Sequence, residues 1–399
     1  MKKGLLLGCL TICCAVLVLG FGANGWSQQK AGGQWPPMLK ISTPSTQSSV
    51  FACTNGWGPK MEATVGMKIR VIPEDSEVRR YVRFTENKEF DLHSQSISDM
   101  SQAVQGEAGY AGIKAYPARA TWHIADTPWG FVTRGDSKYK TIGDLKQKGV
   151  RVALSTQSPP MMMAVKMGLP AFIGWTPEEA AKNWSFIPVG SYAENCRSVT
   201  DGKADVAWVS PVSSVTFEME AHPQKIRWLQ MPFKDKEAWK RWLNVRPTTI
   251  PLKLDWGVPS ARGLDLLTSN FIYWTRPDQD QEFVYQLTKW FHEQFNNYKD
   301  VHKAALRMAL PHFRNYLDHA PLPVAEGTIR YLKEIKQWTP ADDKWNNEAI
   351  KLMDRWIKAR NEALDEAKAK GVKIHWEDKN FRAILDKHTA GIPLFRARL

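Results

Sequence analysis

The chain repeatedly sets a short apolar run between polar turns and follows it with a stretch of helical period. This alternation predicts strands joined by helices. "MLKIST" reads as a first strand and "VFACTNGWGPKMEATVG" as the helix after it. "KIRVIPE" and "FDLHSQS" follow as strands, with the helix "SEVRRYVRF" between them. After a further strand at "PWGFVTRGD", the runs "VRVAL", "FIPVGSY" and "ADVAWVSP" repeat the same build. Among the helices of this second stretch, "TPEEAAKNW" is the best marked: Thr176 stands at the N-cap, Pro177 at the first position, and Glu178 and Glu179 in the first turn. Strand–helix–strand alternation with short connections predicts α/β lobes with largely parallel sheets. The repetition predicts two of them facing a ligand cleft.

The boundaries follow the pattern. A first lobe is expected at 39–135, a second at 136–256, a return to the first at 257–338, and a helical extension at 339–399. From Lys225 to Trp256 the pattern blurs, apart from a short basic helix at "DKEAWKRWL". "LDLLTSNFIYWTRP" regains strand character, and an amphipathic helix at "DQDQEFVYQLTKWFHEQFNN" follows it. The extension is a long helix, started by Thr339-Pro340 and stopped at Gly371. Its apolar stripe of Ile350, Met353, Ile357 and Leu364 spans too few heptads for a coiled coil, so it reads as a brace behind the lobes.

The N-terminus changes the picture most. "MKKGLLLGCLTICCAVLVLGFGANG" has a basic start, an apolar run and a small-x-small end. It predicts a secretory signal peptide over residues 1–25, with an uncleaved anchor as the alternative, and a Gly/Gln/Pro linker over 26–38. The protein is therefore expected outside the cytoplasm, in the periplasm, as a soluble monomer. Three of its five cysteines belong to that leader. Cys53 and Cys196 remain, and an oxidising compartment permits a bridge between them. Such a bridge would pin two lobes together, which favours two buried thiols.

Composition narrows the function. With 399 residues, 43% of them hydrophobic and 24% charged, the chain suits a two-domain globular protein. The formal charge of +13 is spread among acids. No Arg/Lys block stands out, which argues against nucleic acid as a partner and leaves a basic surface suited to anionic ligands. "GFGANG" matches a dinucleotide fingerprint and "SQQK" matches S-x-x-K, but both lie in the leader and its junction. No motif joins a nucleophile to a base. The expectation is no catalysis, no cofactor and no metal.

In α/β folds, ligands bind outside the carboxyl ends of strands. This chain places hydroxyl and amide side chains at those ends. The candidate ligand-binding residues are Ser48, Ser49, Ser76, Gln95 and Ser96 in the first stretch, and Gln157, Ser158, Ser191 and Ser210 in the second. Strand alternation puts Trp208 on the side opposite Ala207 and Val209, together with Ser210. Phe51 and Trp129 are further aromatic candidates for the cleft wall.

From about Leu39 to Thr339 the chain resembles the TAXI family, the solute receptors of one class of TRAP transporter. "YKTIGDLKQKGVRVAL" is similar to the family's S-x-x-D-L-K-G-K-x-V-A-V, and "DGKADVAWVSP" to its D-G-x-x-D-A strand. "PLPVAEGTIRYLKE" resembles its P-x-H-x-G-A-x-x-Y-Y-x-E terminus without the histidine. Ser48-Ser49-Val50-Phe51 stands where the family has G-G-T-Y-Y, and Ser158-Pro159-Pro160-Met161 where it has G-S-G-T. The resemblance implies a bilobal periplasmic-binding-protein fold of the two-crossing type. It also implies capture of a small, carboxylate-bearing solute and delivery to a TRAP permease in the membrane. The departures imply a divergent receptor for a more aromatic or apolar acid. A ligand-sensing domain or an exported enzyme on the same scaffold is the alternative.

Overall fold

In the computed structural model, which describes residues 35–399, the chain lays strands into one sheet, moves to a second, and returns. The leader and nearly all of the linker lie outside the described residues. The first sheet receives β1 (Met38–Thr43), β2 (Lys68–Pro73), β3 (Leu92–Ser96) and β4 (Arg119–Ala125). The second receives β5 (Pro128–Arg134), β8 (Ala207–Val209), β9 (Ile226–Leu229), β10 (Ile250–Lys253) and β11 (Asp265–Thr268), while β6 (Val150–Ser155) and β7 (Trp184–Val189) form a separate two-stranded sheet in the same lobe. The chain then returns with β12 (Phe271–Thr275), which lies between β3 and β4. The fold is α/β and bilobal, with two crossings.

Where the chain crosses corrects the expected boundaries. β5 and β11 pair with each other and with the second sheet, not the first. The crossings therefore fall at Asp126-Thr127 and Ser269-Asn270, inside segments read as continuous first-lobe chain. "LDLLTSNFIYWTRP" is two strands of different sheets, split at a polar pair whose backbone serves neither ladder. The crossings are stitched together, since Ser269 N donates to the Thr127 carbonyl at 3.0 Å.

The sheets are also more mixed than expected. β1 runs parallel to β2 and β3, and β6 parallel to β7, as βαβ connections require. β12 is antiparallel to both of its neighbours, and β5 is antiparallel to β8, β9 and β11. The repeat seen in the sequence is real at this level. "FDLHSQS" supplies β3 and "ADVAWVSP" supplies β8, and each lies against a crossing strand, β12 and β5 respectively.

Two cores explain the abundance of tryptophan. In the first, Trp57, Trp122 and Trp274 are fully buried, and their indole N–H groups donate to Tyr273 Oη, the Met308 carbonyl and the Gln95 carbonyl at 2.9 Å each. The second gathers on Phe131, Trp208 and Trp242, with Trp242 donating to Thr249 Oγ1 at 2.8 Å. A buried indole needs such a partner. Cys53 and Cys196 are buried free thiols, both pushed up to about 12 by burial.

The extension is a 30-residue helix, Pro340–Ala369, followed by Lys379–Thr389 and a tail. It reaches both lobes. Arg360 Nη2 donates to the Tyr110 carbonyl at 3.0 Å, while Ala397 N donates to the Pro247 carbonyl at 2.8 Å. A capping box starts the long helix: Asp342 N donates to Thr339 Oγ1 at 3.2 Å and Thr339 N to Asp342 Oδ2 at 2.9 Å. Replacing Thr339 by Ala is expected to cost about 1 kcal/mol of stability, read as a lower denaturation midpoint with unchanged slope.

Candidate functional site

Strand ends from both lobes converge on a cavity of about 60 Å³. A second compartment of about 20 Å³ adjoins it and shares Glu77, Trp129, Ser158, Met161 and Phe271 with it. The crossings form part of the walls, through Thr127 and Phe271 in the larger compartment and Ser269 and Phe271 in the smaller. The lobes touch across the cleft. Ser158 Oγ donates to Glu77 Oε2 at 2.8 Å, and Ser214 N donates to the Gln47 carbonyl at 3.3 Å. The cleft is thus closed over a small space. An engineered apolar cavity of about 150 Å³ binds benzene, so this one as it stands suits a solute of only a few heavy atoms.

Several polar atoms here have no partner within the protein. Ser45 Oγ, Thr127 Oγ1, Gln157 Oε1 and Ser210 Oγ in the larger compartment make no hydrogen bond. A buried polar atom left unpaired costs about 1–3 kcal/mol, so four around one cavity define a surface suited to a bound solute. The smaller compartment adds a charge. Arg246 is 4% exposed, and its Nε has no acceptor. No described carboxylate pairs with it directly. Burial pulls its guanidinium down to about 10, opposed through space chiefly by Glu107 and then Asp99, so it remains a cation at neutral pH.

Of the residues expected at the site, Ser48, Ser49, Gln157, Ser158 and Ser210 line the larger compartment, and Ser96, Ser158 and Trp208 the smaller. Ser76, Gln95, Ser191 and Phe51 lie outside both linings. Capping explains two of these. Ser76 accepts from Arg79 N at 3.3 Å and Ser191 from Glu194 N at 3.1 Å, so each hydroxyl is spent on the start of a helix whose first residue, Glu77 or Tyr192, lines the larger compartment instead. Ser48, Ser96 and Ser158 also cap helices, but at the cavity edge. Phe51, in the first turn of the Ser49–Val65 helix, is half-buried on another face.

Gln95 is held by an internal relay. Its Oε1 accepts from His93 Nε2 at 2.8 Å, and its Nε2 donates to Asp99 Oδ2 at 2.5 Å. Burial, then the Arg80 charge, holds His93 well below its ordinary range, so the ring is neutral. Its Nδ1 lies 2.6 Å from Ser42 Oγ. With Nε2 protonated toward Gln95, Nδ1 is left to accept from that hydroxyl. Tyr110 Oη also donates to Asp99, at 2.7 Å.

The relay ends on Glu77, at the cavity. Burial pushes the Glu77 carboxyl well above its ordinary 4.5, and the Asp99 charge adds to the rise; Arg80 and Ser158 oppose it. Burial raises Asp99 as well, against Arg80, Gln95 and Tyr110. Tyr110 and Gln95 donate to Asp99, which makes Glu77 the protonated member of the pair. An acid whose pKa is raised on folding holds more protons folded than unfolded. Its contribution is full below the unfolded value and is lost as pH rises through the folded one. Stability is expected to fall for this reason as pH rises above the ordinary carboxyl value of 4.5, and Glu77→Gln to flatten that slope in denaturant titrations.

The sequence reading missed Arg246, Thr127 and Phe271. Arg246 stands in the stretch where no period was legible. Thr127 and Phe271 flank the crossings, and knowledge of those crossing points would have marked them. Among the described residues no cluster of His, Cys, Asp or Glu is placed to hold a metal ion, and no helix is long and apolar enough to cross a membrane.

A model of the NMT1-like family matches residues 41–335. No curated protein matches the chain. Solved structures do, at low identity. PhnD1 of Prochlorococcus marinus with methylphosphonate is 13% identical, with a TM-score of 0.44 over 68% of this chain and 89% of that one. A binding protein component of an ABC phosphonate transporter from Pseudomonas aeruginosa is 12% identical, with a TM-score of 0.40 over 88% and 96%. The alkanesulfonate-binding protein SsuA from Xanthomonas axonopodis pv. citri, bound to MOPS, is 14% identical, with a TM-score of 0.41 over 86% and 97%.

Proposed function

The chain belongs to the NMT1-like family, and from that premise we propose that it is a periplasmic receptor that captures a small anionic solute between its lobes without transforming it. The observation that carries the reading is Arg246, a buried guanidinium at the cavity with no anion of its own. A buried charge is stable only when paired, and truncating one partner of a buried pair costs about 3–5 kcal/mol. A solute carboxylate or other oxyanion supplies the missing partner, and the planar fork of arginine suits such a group. Closure then adds hydrogen bonds from both lobes, so bound solute favours the closed form.

The solute passes to a membrane permease. The TAXI resemblance favours a TRAP system driven by an ion gradient as that permease, whereas one structural neighbour is named as part of an ABC phosphonate system. Uptake in cells that express each candidate permease, energised by a gradient or by ATP, separates the two.

A thermal-shift screen of small carboxylates, phosphonates and sulfonates tests the receptor reading. One or more anions should raise the melting temperature and be recovered unchanged. Equal response to uncharged analogues, or consumption at catalytic stoichiometry, would overturn it.

A further inference from the structure

We propose that the solute taken by this cavity is polarised along its length, with an anionic group at the Arg246 end, a short apolar body, and a hydrogen-bond donor at the far end. That donor is a hydroxyl, an amide or an amine, and not a second anion. The proposal rests on the anion-receptor reading and goes beyond it by naming the other end of the solute.

The two compartments differ in charge. The smaller contains Arg246. The larger is lined by no lysine, arginine or histidine, and carries two acids, Asp75 and Glu77. Asp75 is an exposed carboxylate at the rim. A second anion on the solute would have to leave water and face this carboxylate with no cation to receive it. Like-charge contacts of this kind reject wrong partners.

The unpartnered atoms point the same way. Gln157 Oε1 is an acceptor and nothing else, and it lacks a donor. The Ser45, Thr127 and Ser210 hydroxyls, which donate as well as accept, can also meet such a donor and do not by themselves select it. All four belong to the larger compartment. Between the two ends, Trp129, Met161 and Phe271 give the shared wall an apolar face, and its two polar members, Glu77 and Ser158, are hydrogen-bonded to each other. The apolar face contacts the middle of a solute and offers no hydrogen bond to it. The volumes of about 60 Å³ and about 20 Å³ limit that middle to a short chain unless the Glu77–Ser158 contact opens.

Calorimetric titration of the full chain with four short acids tests this: propionate, 3-hydroxypropionate, β-alanine and malonate. The hydroxy acid or the amino acid should bind at least about ten-fold tighter than either propionate or malonate. Asp75→Asn, a change at an exposed side chain, should narrow the gap to malonate. Malonate binding as tightly as the better donor-bearing acid overturns the proposal, and so does propionate doing so. Failure of all four while other anions shift the melting temperature overturns it as well. Arg246→Met separates this failure from that of the underlying reading. If malonate wins and Arg246→Met abolishes its binding, the anion receptor stands and the polarity falls. If Arg246→Met leaves binding untouched, the receptor reading itself falls.

Discussion

Replacing Arg246 by Met weakens binding of the anionic solute by at least about 100-fold, equivalent to about 2.7 kcal/mol, while the unliganded protein becomes no less stable. The two halves of this expectation have one cause. In the closed cleft Arg246 is 4% exposed, and its Nε has no acceptor. The protein bears the desolvation of that charge without a direct ion pair to offset it, since Glu107 and then Asp99 act only through space. Methionine fills the space of the arginine stem and carries no charge, so it removes the penalty and keeps the packing of that stem. A residue whose removal abolishes binding but preserves or raises stability is held for function. Titration calorimetry reads the first half and urea denaturation the second. A loss of stability above about 2 kcal/mol would mean that Arg246 is a structural residue, and the case for an anion site would fail with it.

The contrast between Arg246 and the serines shows which parts of this site a sequence can reveal. Local rules have local signatures. Thr176 and Thr339 announce capping boxes, and both form. The strands before Ser96 and Ser210 read as strands because their apolar burst is short and bounded by turns. Serine at a strand end, however, has two uses with the same spelling. Ser76 and Ser191 only cap helices, whereas Ser210 turns an unpartnered hydroxyl to the cavity. The difference lies in which way each side chain faces once the lobes are folded, which is tertiary information, since the helices after Ser76 and Ser191 also begin at the cavity, with Glu77 and Tyr192. The crossings were hidden for a related reason. β11 and β12 are both apolar and separated by two residues, so no break in pattern marks the change of sheet. Once the crossings were misplaced, Thr127 and Phe271 could not be assigned to the cavity, and Arg246 stood in a stretch with no period at all.

Gly106→Ala is expected to lower stability by about 3 kcal/mol or more, the largest effect foreseen for a single methyl group in this protein. Gly106 ends the Ile97–Gln105 helix in the left-handed region, with φ 73° and ψ 32°, and its N–H donates to the Gln102 carbonyl. A side chain there costs about 1 kcal/mol for the backbone alone. The greater cost is steric. A Cβ on Gly106 would stand 1.5 Å from Arg360 Nε and 2.4 Å from its Cδ. Arg360 is fully buried, so it has no open side to move into. Its Nη2 donates to the carbonyls of Tyr110, Ala111 and Ile113, which fastens the long C-terminal helix to the first lobe. Displacing the guanidinium breaks hydrogen bonds worth about 1.5–3 kcal/mol for a charged donor, and it leaves the charge buried. The coupling is measurable. If the clash is the cause, Arg360→Ala in the Gly106→Ala background should cost less than Arg360→Ala alone, by at least about 1 kcal/mol in a double-mutant cycle. Limited proteolysis should also find the Pro340–Ala369 helix cleaved faster in Gly106→Ala than in the parent. Additive behaviour of the two changes would place the cost in the backbone of Gly106 and not in its contact with Arg360.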